Sequence, residues 1–354
     1  MLFRSHITKP PLAYWVQALC VDAFGRTEFA VRFPSAAATT ALLLALFAFA
    51  RRTSGTLVAT LATGLAACMP LVQVVGRLAV TDPMLALWWW CALCAAWLAL
   101  SAGRMRPAWV VAFWLACGLV GLTKGPLLLA PPAIVFTWLL LAGRLRDLRL
   151  LVPIVGLPLA AAPLAMVAYG FWHADPARAE QVWRFEFVER FTGGSGHNDP
   201  RWSLVLPFIA GFFPATSMLT LPWFNMSSGR AWSYFRGGDL RALLLVAVVA
   251  PFVGFSVLKG HSPTYLLPIA APLALLVAMM LSRWVDGTVD DIPAGERPPD
   301  VRITSAIAMT ATGSIVLGAA AYLVLTGRAP GWAPGWTLVW LAVPMLPAVV
   351  ASWL

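Results

Sequence analysis

The chain has 354 residues, of which 60% are apolar and only 11% are charged. Soluble domains carry roughly a quarter charged residues, so this composition excludes a water-soluble globule. Lysine and arginine outnumber aspartate and glutamate by 25 to 15, which gives a formal net charge of +10. In a soluble protein that excess would suggest nucleic-acid binding, but in a membrane protein cationic cytoplasmic loops account for it. We therefore expect membrane lipids, and no nucleic acid, among its partners.

The hydrophobic runs predict an all-α, polytopic integral membrane protein with about eleven transmembrane helices, since one span needs roughly 20 apolar residues. The spans are expected at 33–50, 57–75, 83–100, 108–122, 127–142, 150–170, 203–223, 240–258, 265–282, 303–325 and 333–353. The region 33–354 is thus predicted to be a multi-span membrane domain without a soluble C-terminal domain.

The loop charges predict one orientation in the membrane. Five alternate loops, beginning with the loop of Arg51 and Arg52, hold 13 of the 25 cations, whereas the opposite short loops carry one cation each. The positive-inside rule places the cation-rich loops in the cytoplasm. Residues 1–32, the segment 171–202 and all four histidines then lie on the external side. We expect a chemical site to face the periplasm or exterior of a bacterial inner membrane.

Two external segments carry structural expectations. The stretch Leu12–Phe24 is too short to span and predicts an interfacial helix within a partial external loop, 1–32. Because no export signal precedes it, we interpret the chain as beginning after a missing first transmembrane helix. The segment 171–202 predicts an amphipathic helix on the bilayer followed by a Gly-Gly-Ser-Gly loop. It is either a gate over a lipid-accessible cavity or a passive connector.

Several external helix starts share a polar residue followed by proline. Proline fits the first helical turn, so helix initiation alone can explain any single case. Together these starts aim positive helix N-termini at one membrane face, beside several cations, which favours binding of a phosphate. In a chain that is otherwise all membrane, we expect that anion to be a lipid head group. The starts are Lys9-Pro10-Pro11, Asp82-Pro83, Lys124-Gly125-Pro126, Asp199-Pro200 and Ser262-Pro263, and the nearby cations are Lys9, Lys124, Lys259 and Arg190.

Asp82 has two interpretations that the residues leave open. Its carboxylate can cap the helix that starts at Pro83 and pair with Arg77, five residues earlier. At the edge of a polar cleft, it can instead act as a base, orient an acceptor or hold a metal ion. No ligand cluster requires a metal, so we assign no cofactor, and a divalent metal stays compatible with the sequence.

Short motifs then occur in order over residues 8–285. They include Lys9-Pro10-Pro11-Leu12, Arg32-Phe33-Pro34-Ser35, Arg77 followed by Asp82, Leu122-Thr123-Lys124-Gly125-Pro126, Arg190-Phe191 and Pro263-Thr264-Tyr265-Leu266-Leu267-Pro268. In these motifs the chain resembles membrane glycosyltransferases of the GT-C class, and most of all the lipid A aminoarabinose transferases and their protein O-mannosyltransferase relatives. The resemblance implies transfer of a sugar from a polyprenyl phosphate carrier to a lipid, glycan or protein acceptor.

The resemblance also implies roles for individual residues. Lys9, Arg190 and Tyr265 would contact the carrier phosphate, while Lys124 and the catalytic candidate Asp82 would line the same cavity. An acidic catalytic residue of the family's first external loop has no counterpart in this chain. Further candidates are Arg77, Lys259 and His261; His261 stands where relatives often have lysine and supplies a positive charge only when protonated.

Two other functions fit parts of the same pattern. A transporter or flippase for an anionic lipid or solute would also combine many spans with an anion site, although transporters usually show internal repeats and broken mid-membrane helices. An inactive, truncated glycosyltransferase would explain the missing first loop. Transfer of labelled sugar distinguishes the enzyme from both.

Overall fold

A computed structural model describes residues 9–184, 204–219, 238–257 and 262–285, and within these ranges the chain is helical, with turns and no strand. The predicted spans 303–325 and 333–353 lie outside the described residues. The α-helices of the described part are α1 (Leu12–Phe24), α2 (Glu28–Ser54), α3 (Thr56–Cys68), α4 (Pro70–Val75), α5 (Asp82–Leu100), α6 (Pro107–Lys124), α7 (Ala130–Leu141), α8 (Pro153–Ala174), α9 (Pro176–Trp183), α10 (Val205–Gly211), α11 (Leu240–Val257) and α12 (Ala270–Val285). Short 3₁₀ segments cover Gly125–Leu129, Leu145–Leu151, Ser217–Leu219 and Pro263–Ile269.

The helices confirm the prediction of an all-α integral membrane protein. Six segments of the described part are long and apolar enough to cross a membrane: Glu28–Ser54, Asp82–Leu100, Pro107–Leu141, Pro153–Ala174, Leu240–Val257 and Pro263–Ser282. The larger number of eleven spans stays a prediction.

Proline divides two stretches that the hydrophobic pattern treats as single spans. In the stretch 57–75, Met69 adopts an extended conformation and ends α3, because a residue that precedes proline disfavours the helical conformation. In the described part of 203–223, α10 ends at Gly211 and a turn containing Pro214 follows. Hydropathy detects the apolar run but not the break inside it.

Helix α1 has the predicted bounds, Leu12–Phe24, and buries only Ala13. Its large apolar side chains Trp15, Leu19 and Phe24 are exposed. Phe24 stacks edge-on against Phe29 and Phe33 at the start of α2, with ring centroids 5.4 and 5.5 Å away. This exposed apolar surface agrees with the predicted interfacial position.

Helix α5 is the centre of the packing. It contacts α6, α2 and the Pro263–Ile269 segment, and its Trp89 and Trp90 side chains are fully buried. Because α5 and α6 are joined by a short loop and run antiparallel, the beginning of α5 lies beside the end of α6. The Pro263–Ile269 segment packs against that region.

Helix α8 lies at the periphery and packs mainly on α6. Small residues permit the close approach: a β-carbon on Gly156 would clash with the indole ring of Trp114. That indole N–H donates a 2.7 Å hydrogen bond to the carbonyl of Leu151, just before α8. An apolar groove of about 400 Å³ runs along this helix pair.

Candidate functional site

Asp82 is the first residue of α5 and is buried, with 4% of its surface exposed. Its carboxylate Oδ1 accepts a 2.5 Å hydrogen bond from the ammonium of Lys124, which forms a buried ion pair. The two residues are 42 positions apart in the chain. Thr81, at the N-cap of α5, makes no side-chain capping hydrogen bond, and the hydrogen bond that the structure shows for the Asp82 carboxylate goes to Lys124.

Lys124 is the last residue of α6 and is 8% exposed. An acid at a helix N-terminus and a base at a helix C-terminus are each favoured by the helix dipole. Since α5 and α6 are antiparallel neighbours, these two favourable positions meet, and the charges pair. The next residue, Gly125, has φ of +60°, a conformation that glycine adopts readily. This conformation allows α6 to end directly after Lys124.

Tyr265 completes the centre of the site. The Lys124 Nζ atom lies 3.8 Å from the centroid of the Tyr265 ring, a cation–π contact. The ring of Phe255 packs on Tyr265 at 5.7 Å between centroids. The structure thus brings together Asp82, Lys124 and Tyr265, three candidate residues from distant parts of the sequence.

Lys9 lies close to this centre through its neighbour in the chain. The ring carbon Cγ of Pro10 is 3.8 Å from the position that a β-carbon on Gly125 would take, and α1 contacts α6. The Lys9-Pro10 and Lys124-Gly125 motifs are therefore adjacent in space. Lys9 itself is half-buried.

The predicted helix starts are confirmed where the structure describes them. Pro11 precedes α1, Asp82-Pro83 begins α5, Gly125-Pro126 begins one 3₁₀ segment and Pro263 begins another. Asp199-Pro200 lies outside the described residues, as do the candidates Arg190, Lys259 and His261.

Arg77 is not the ion-pair partner of Asp82. Its guanidinium donates a 3.1 Å hydrogen bond to the side chain of Gln73, one helical turn earlier, and the residue is exposed. Proximity in sequence is misleading here, because the turn after α4 directs Arg77 outward while Asp82 faces the end of α6.

Two residues next to Asp82 are absent from the sequence-based set of candidates. The hydroxyl of Ser35 donates a 3.0 Å hydrogen bond to the carbonyl of Val80, which ties the loop before α5 to α2. Thr81, between Val80 and Asp82, is buried, and its hydroxyl has no hydrogen-bond partner in the described part of the chain. Ser35 belongs to the Arg32-Phe33-Pro34-Ser35 motif, which could have drawn attention to it; Thr81 carries no comparable signal.

The arrangement offers a fixed positive charge in a largely dehydrated place. Among the described residues, no three His, Cys, Asp or Glu side chains are grouped so as to hold a metal ion. Lys124 is held by Asp82 on one side and by the Tyr265 ring on another. A cation fixed in this way can stabilise negative charge that develops on a nearby phosphate oxygen, because its electrostatic interactions are weakly screened there.

Comparison with known sequences gives consistent matches. Residues 8–172 match the model of the dolichyl-phosphate-mannose-protein mannosyltransferase family. The chain is 36% identical, over 288 residues, to undecaprenyl phosphate-alpha-4-amino-4-deoxy-L-arabinose arabinosyl transferase 2 of Sodalis glossinidius, covering 77% of this chain and 50% of that protein. For transferase 1 of the same organism, the identity is 32% over 375 aligned positions, covering 100% of this chain and 62% of that protein. The chain thus spans about half the length of the curated relatives it matches.

The fold matches a solved structure over almost the whole chain. The crystal structure of ArnT from Cupriavidus metallidurans bound to undecaprenyl phosphate superposes with a TM-score of 0.74 at 21% identity, covering 98% of this chain and 61% of that one. The apo form of the same protein gives a TM-score of 0.69 at 22% identity. The sequence matches confirm the resemblance inferred from the short motifs, and the superposition establishes a shared fold.

Proposed function

We propose that this chain, a relative of the undecaprenyl phosphate aminoarabinose transferases, is the membrane part of a glycosyltransferase. It takes its sugar from a polyprenyl phosphate carrier and transfers it to a lipid acceptor. The observation that carries the proposal is the buried ion pair of Asp82 and Lys124 beneath the ring of Tyr265. The sequence matches to transferases that use undecaprenyl phosphate-linked aminoarabinose support it.

The proposed topology has eleven spans within the region 33–354, with the N-terminal segment 1–32 and the segment 171–202 on the external side. The cation-rich loops support this orientation through the positive-inside rule. Asp82 and Lys124 then lie at external helix ends, facing the periplasm of a bacterial inner membrane. The polyprenyl carrier reaches the site within the outer leaflet.

In the proposed reaction, an oxygen atom of the acceptor attacks the anomeric carbon of the carrier-bound sugar, and where that oxygen belongs to a hydroxyl group its proton passes to the departing phosphate. The bond between that carbon and the carrier's phosphate oxygen breaks, and the carrier phosphate leaves with the electron pair. Negative charge therefore accumulates on the phosphate. Lys124, assisted by Lys9, Arg190 and Tyr265, stabilises that charge, and Lys259 and His261 lie close enough in sequence to Tyr265 to contribute.

We assign Asp82 the role of orienting Lys124. Its Oδ1 atom is occupied by the lysine ammonium, so the carboxylate fixes the position of the positive charge that meets the carrier phosphate. A preorganised charge does not have to reorient during the reaction, which is the main source of its catalytic effect.

Undecaprenyl phosphate-linked 4-amino-4-deoxy-L-arabinose is the donor to test first, because it is named in the relatives. Lipid A is the acceptor to test first, because the resemblance is to lipid A aminoarabinose transferases. If the acceptor is a glycan or a protein, the label will appear in that fraction instead of in the lipid.

The test is sugar transfer in membranes that contain the chain. With labelled donor, we expect labelled lipid from the wild type and a loss of about 100-fold or more when Asp82→Asn is combined with Lys124→Ala. Glu28→Gln is the matched control, since it removes an exposed ion pair with Arg32 and should leave transfer unchanged. Undiminished transfer by the double variant would refute the site assignment. Movement of the lipid across the membrane without covalent transfer would favour a transporter instead.

A further inference from the structure

The hydroxyl group of Thr81 is buried next to Asp82 and has no hydrogen-bond partner in the part of the chain that the structure describes. Thr81 is 7% exposed, and its Oγ1 atom has no hydrogen-bond partner among the described residues. Nearby hydroxyls are satisfied: Ser35 donates to the carbonyl of Val80 at 3.0 Å and Thr123 to the carbonyl of Leu119 at 2.7 Å. Thr81 is thus an exception within its own surroundings.

Helix capping does not use this hydroxyl. Thr27 precedes α2 in an extended conformation, with φ −116° and ψ 158°, and its hydroxyl accepts a hydrogen bond from the N–H of Ala30, as a capping threonine should;. Thr81 occupies the same position before α5, but its backbone is helical, with φ −83° and ψ −15°, and no capping bond forms. In addition, Pro83 supplies no N–H in the first turn. Thr27 therefore caps α2, whereas Thr81, at the same position before α5, does not cap its helix.

The position of Thr81 identifies what the hydroxyl can bind. It is bonded in sequence to Asp82, whose charge is balanced by Lys124 at 2.5 Å, and it stands at the uncapped N-terminus of a 19-residue helix. An unpaired buried hydroxyl is destabilising and rare in folded proteins, so its retention here has a direct explanation if a bound molecule supplies the partner. The helix N-terminus favours an oxygen atom that carries negative charge, and Lys124 balances the negative charge of the neighbouring Asp82.

We propose that Thr81 is a substrate-binding residue whose hydroxyl donates a hydrogen bond to an oxygen of the donor lipid. This inference rests on the proposed glycosyltransferase function and assigns a further contact in the same site. The oxygen belongs either to the carrier phosphate or to the attached sugar, and both accept the same hydrogen bond.

The decisive variant is Thr81→Val, which keeps the shape of the side chain and removes the hydroxyl. In the lipid-free protein it removes an unsatisfied polar group, so the midpoint of thermal unfolding should stay the same or rise. Affinity for the donor lipid, measured by thermal-shift titration, should fall about 10-fold or more, because a hydrogen bond to a charged or polar oxygen is lost. Thr81→Ser, which keeps the hydroxyl, should retain most of the affinity.

Thr63→Val is the matched control. The Thr63 hydroxyl, on α3, is also buried without a partner in the described part of the chain. Its replacement should likewise not lower the midpoint of thermal unfolding, and it should leave lipid affinity unchanged.

Two ligands distinguish the source of the bound oxygen. Weaker binding of undecaprenyl phosphate itself by Thr81→Val assigns the contact to the phosphate; weaker binding of the sugar-linked lipid alone assigns it to the sugar. If the wild type binds these lipids and Thr81→Val binds both equally well, the Thr81 assignment is overturned while the proposed function stands. If the wild type binds neither lipid, the proposed function fails and this inference fails with it. A drop in the unfolding midpoint of lipid-free Thr81→Val that is absent in Thr81→Ser would show that the hydroxyl has a structural role, and it would overturn the inference.

Discussion

Helices α5 and α8 are similarly apolar, yet the fold treats them very differently. α5 buries fifteen of its nineteen residues, whereas α8 buries only Gly156 and Ala160 of its twenty-two. α5 is surrounded by α2, α6 and the Pro263–Ile269 segment, and α8 contacts mainly α6. Hydropathy therefore identifies both as membrane helices but does not distinguish a central helix from a peripheral one, since lipid is as apolar as a protein core.

The difference extends to function. The candidate site is built at the first turn of the buried helix, where neighbouring elements can enclose Asp82 and hold Lys124 against it. The peripheral helix α8 contributes small residues that allow close contact with α6. It leads into α9, whose Glu180 pairs with Arg184 at 2.9 Å in exposed surroundings. Burial determines which of the two helices can preorganise a charge.

The largest expected effect is at the ion pair that opens α5. Lys124→Met leaves the carboxylate of Asp82 buried without its partner, which should lower the free energy of unfolding by about 3–5 kcal/mol. Adding Asp82→Leu replaces the pair by apolar residues and should recover most of that stability, while sugar transfer stays lost. Detergent-induced unfolding and transfer assays on the same preparations check both. Full activity in the double variant, or an unaltered stability of the single variant, would contradict the prediction.

A direct comparison of the two helices comes from trimming one large side chain in each. Leu85 of α5 is 0% exposed and Met166 of α8 is 74% exposed. Leu85→Ala should lower the free energy of unfolding by about 2–5 kcal/mol, because it leaves a cavity in the packed interior. Met166→Ala shortens an exposed side chain, and lipid fills the space that the side chain leaves. It should therefore change the free energy of unfolding little. Unfolding in detergent measures the stability of both variants. Equal losses of stability would show that α8 is packed against protein.

The smallest effect concerns the seam between α6 and α8. Gly156→Ala places a methyl group against the Trp114 indole and should disturb its hydrogen bond to Leu151, which should lower the free energy of unfolding by about 1–3 kcal/mol. Gly170→Ala, in the same helix, meets nothing within 4 Å and serves as the control. Thermal unfolding compares the two; a stable Gly156→Ala variant would mean that α8 does not need this close contact.

Much of the fold could be predicted from the sequence because its signals are local. Apolar runs give the membrane helices, and proline marks where α5 and the Pro263–Ile269 segment begin. The pairing of Asp82 was not predictable in this way. Arg77 is five residues away and Lys124 is forty-two away, yet the ion pair forms with Lys124.

By itself, the sequence determined the class of protein, the positions of most described helices and which polar residues stand at helix ends. These features depend on apolar content and on the backbone chemistry of proline and glycine, which act within a few residues. Only the tertiary structure decided that Lys124 lies between Asp82 and Tyr265, that the Thr81 hydroxyl is buried without a partner among the described residues, and that α5 is central while α8 is peripheral. Those outcomes depend on which helices pack together, and that packing joins residues that are distant in the chain.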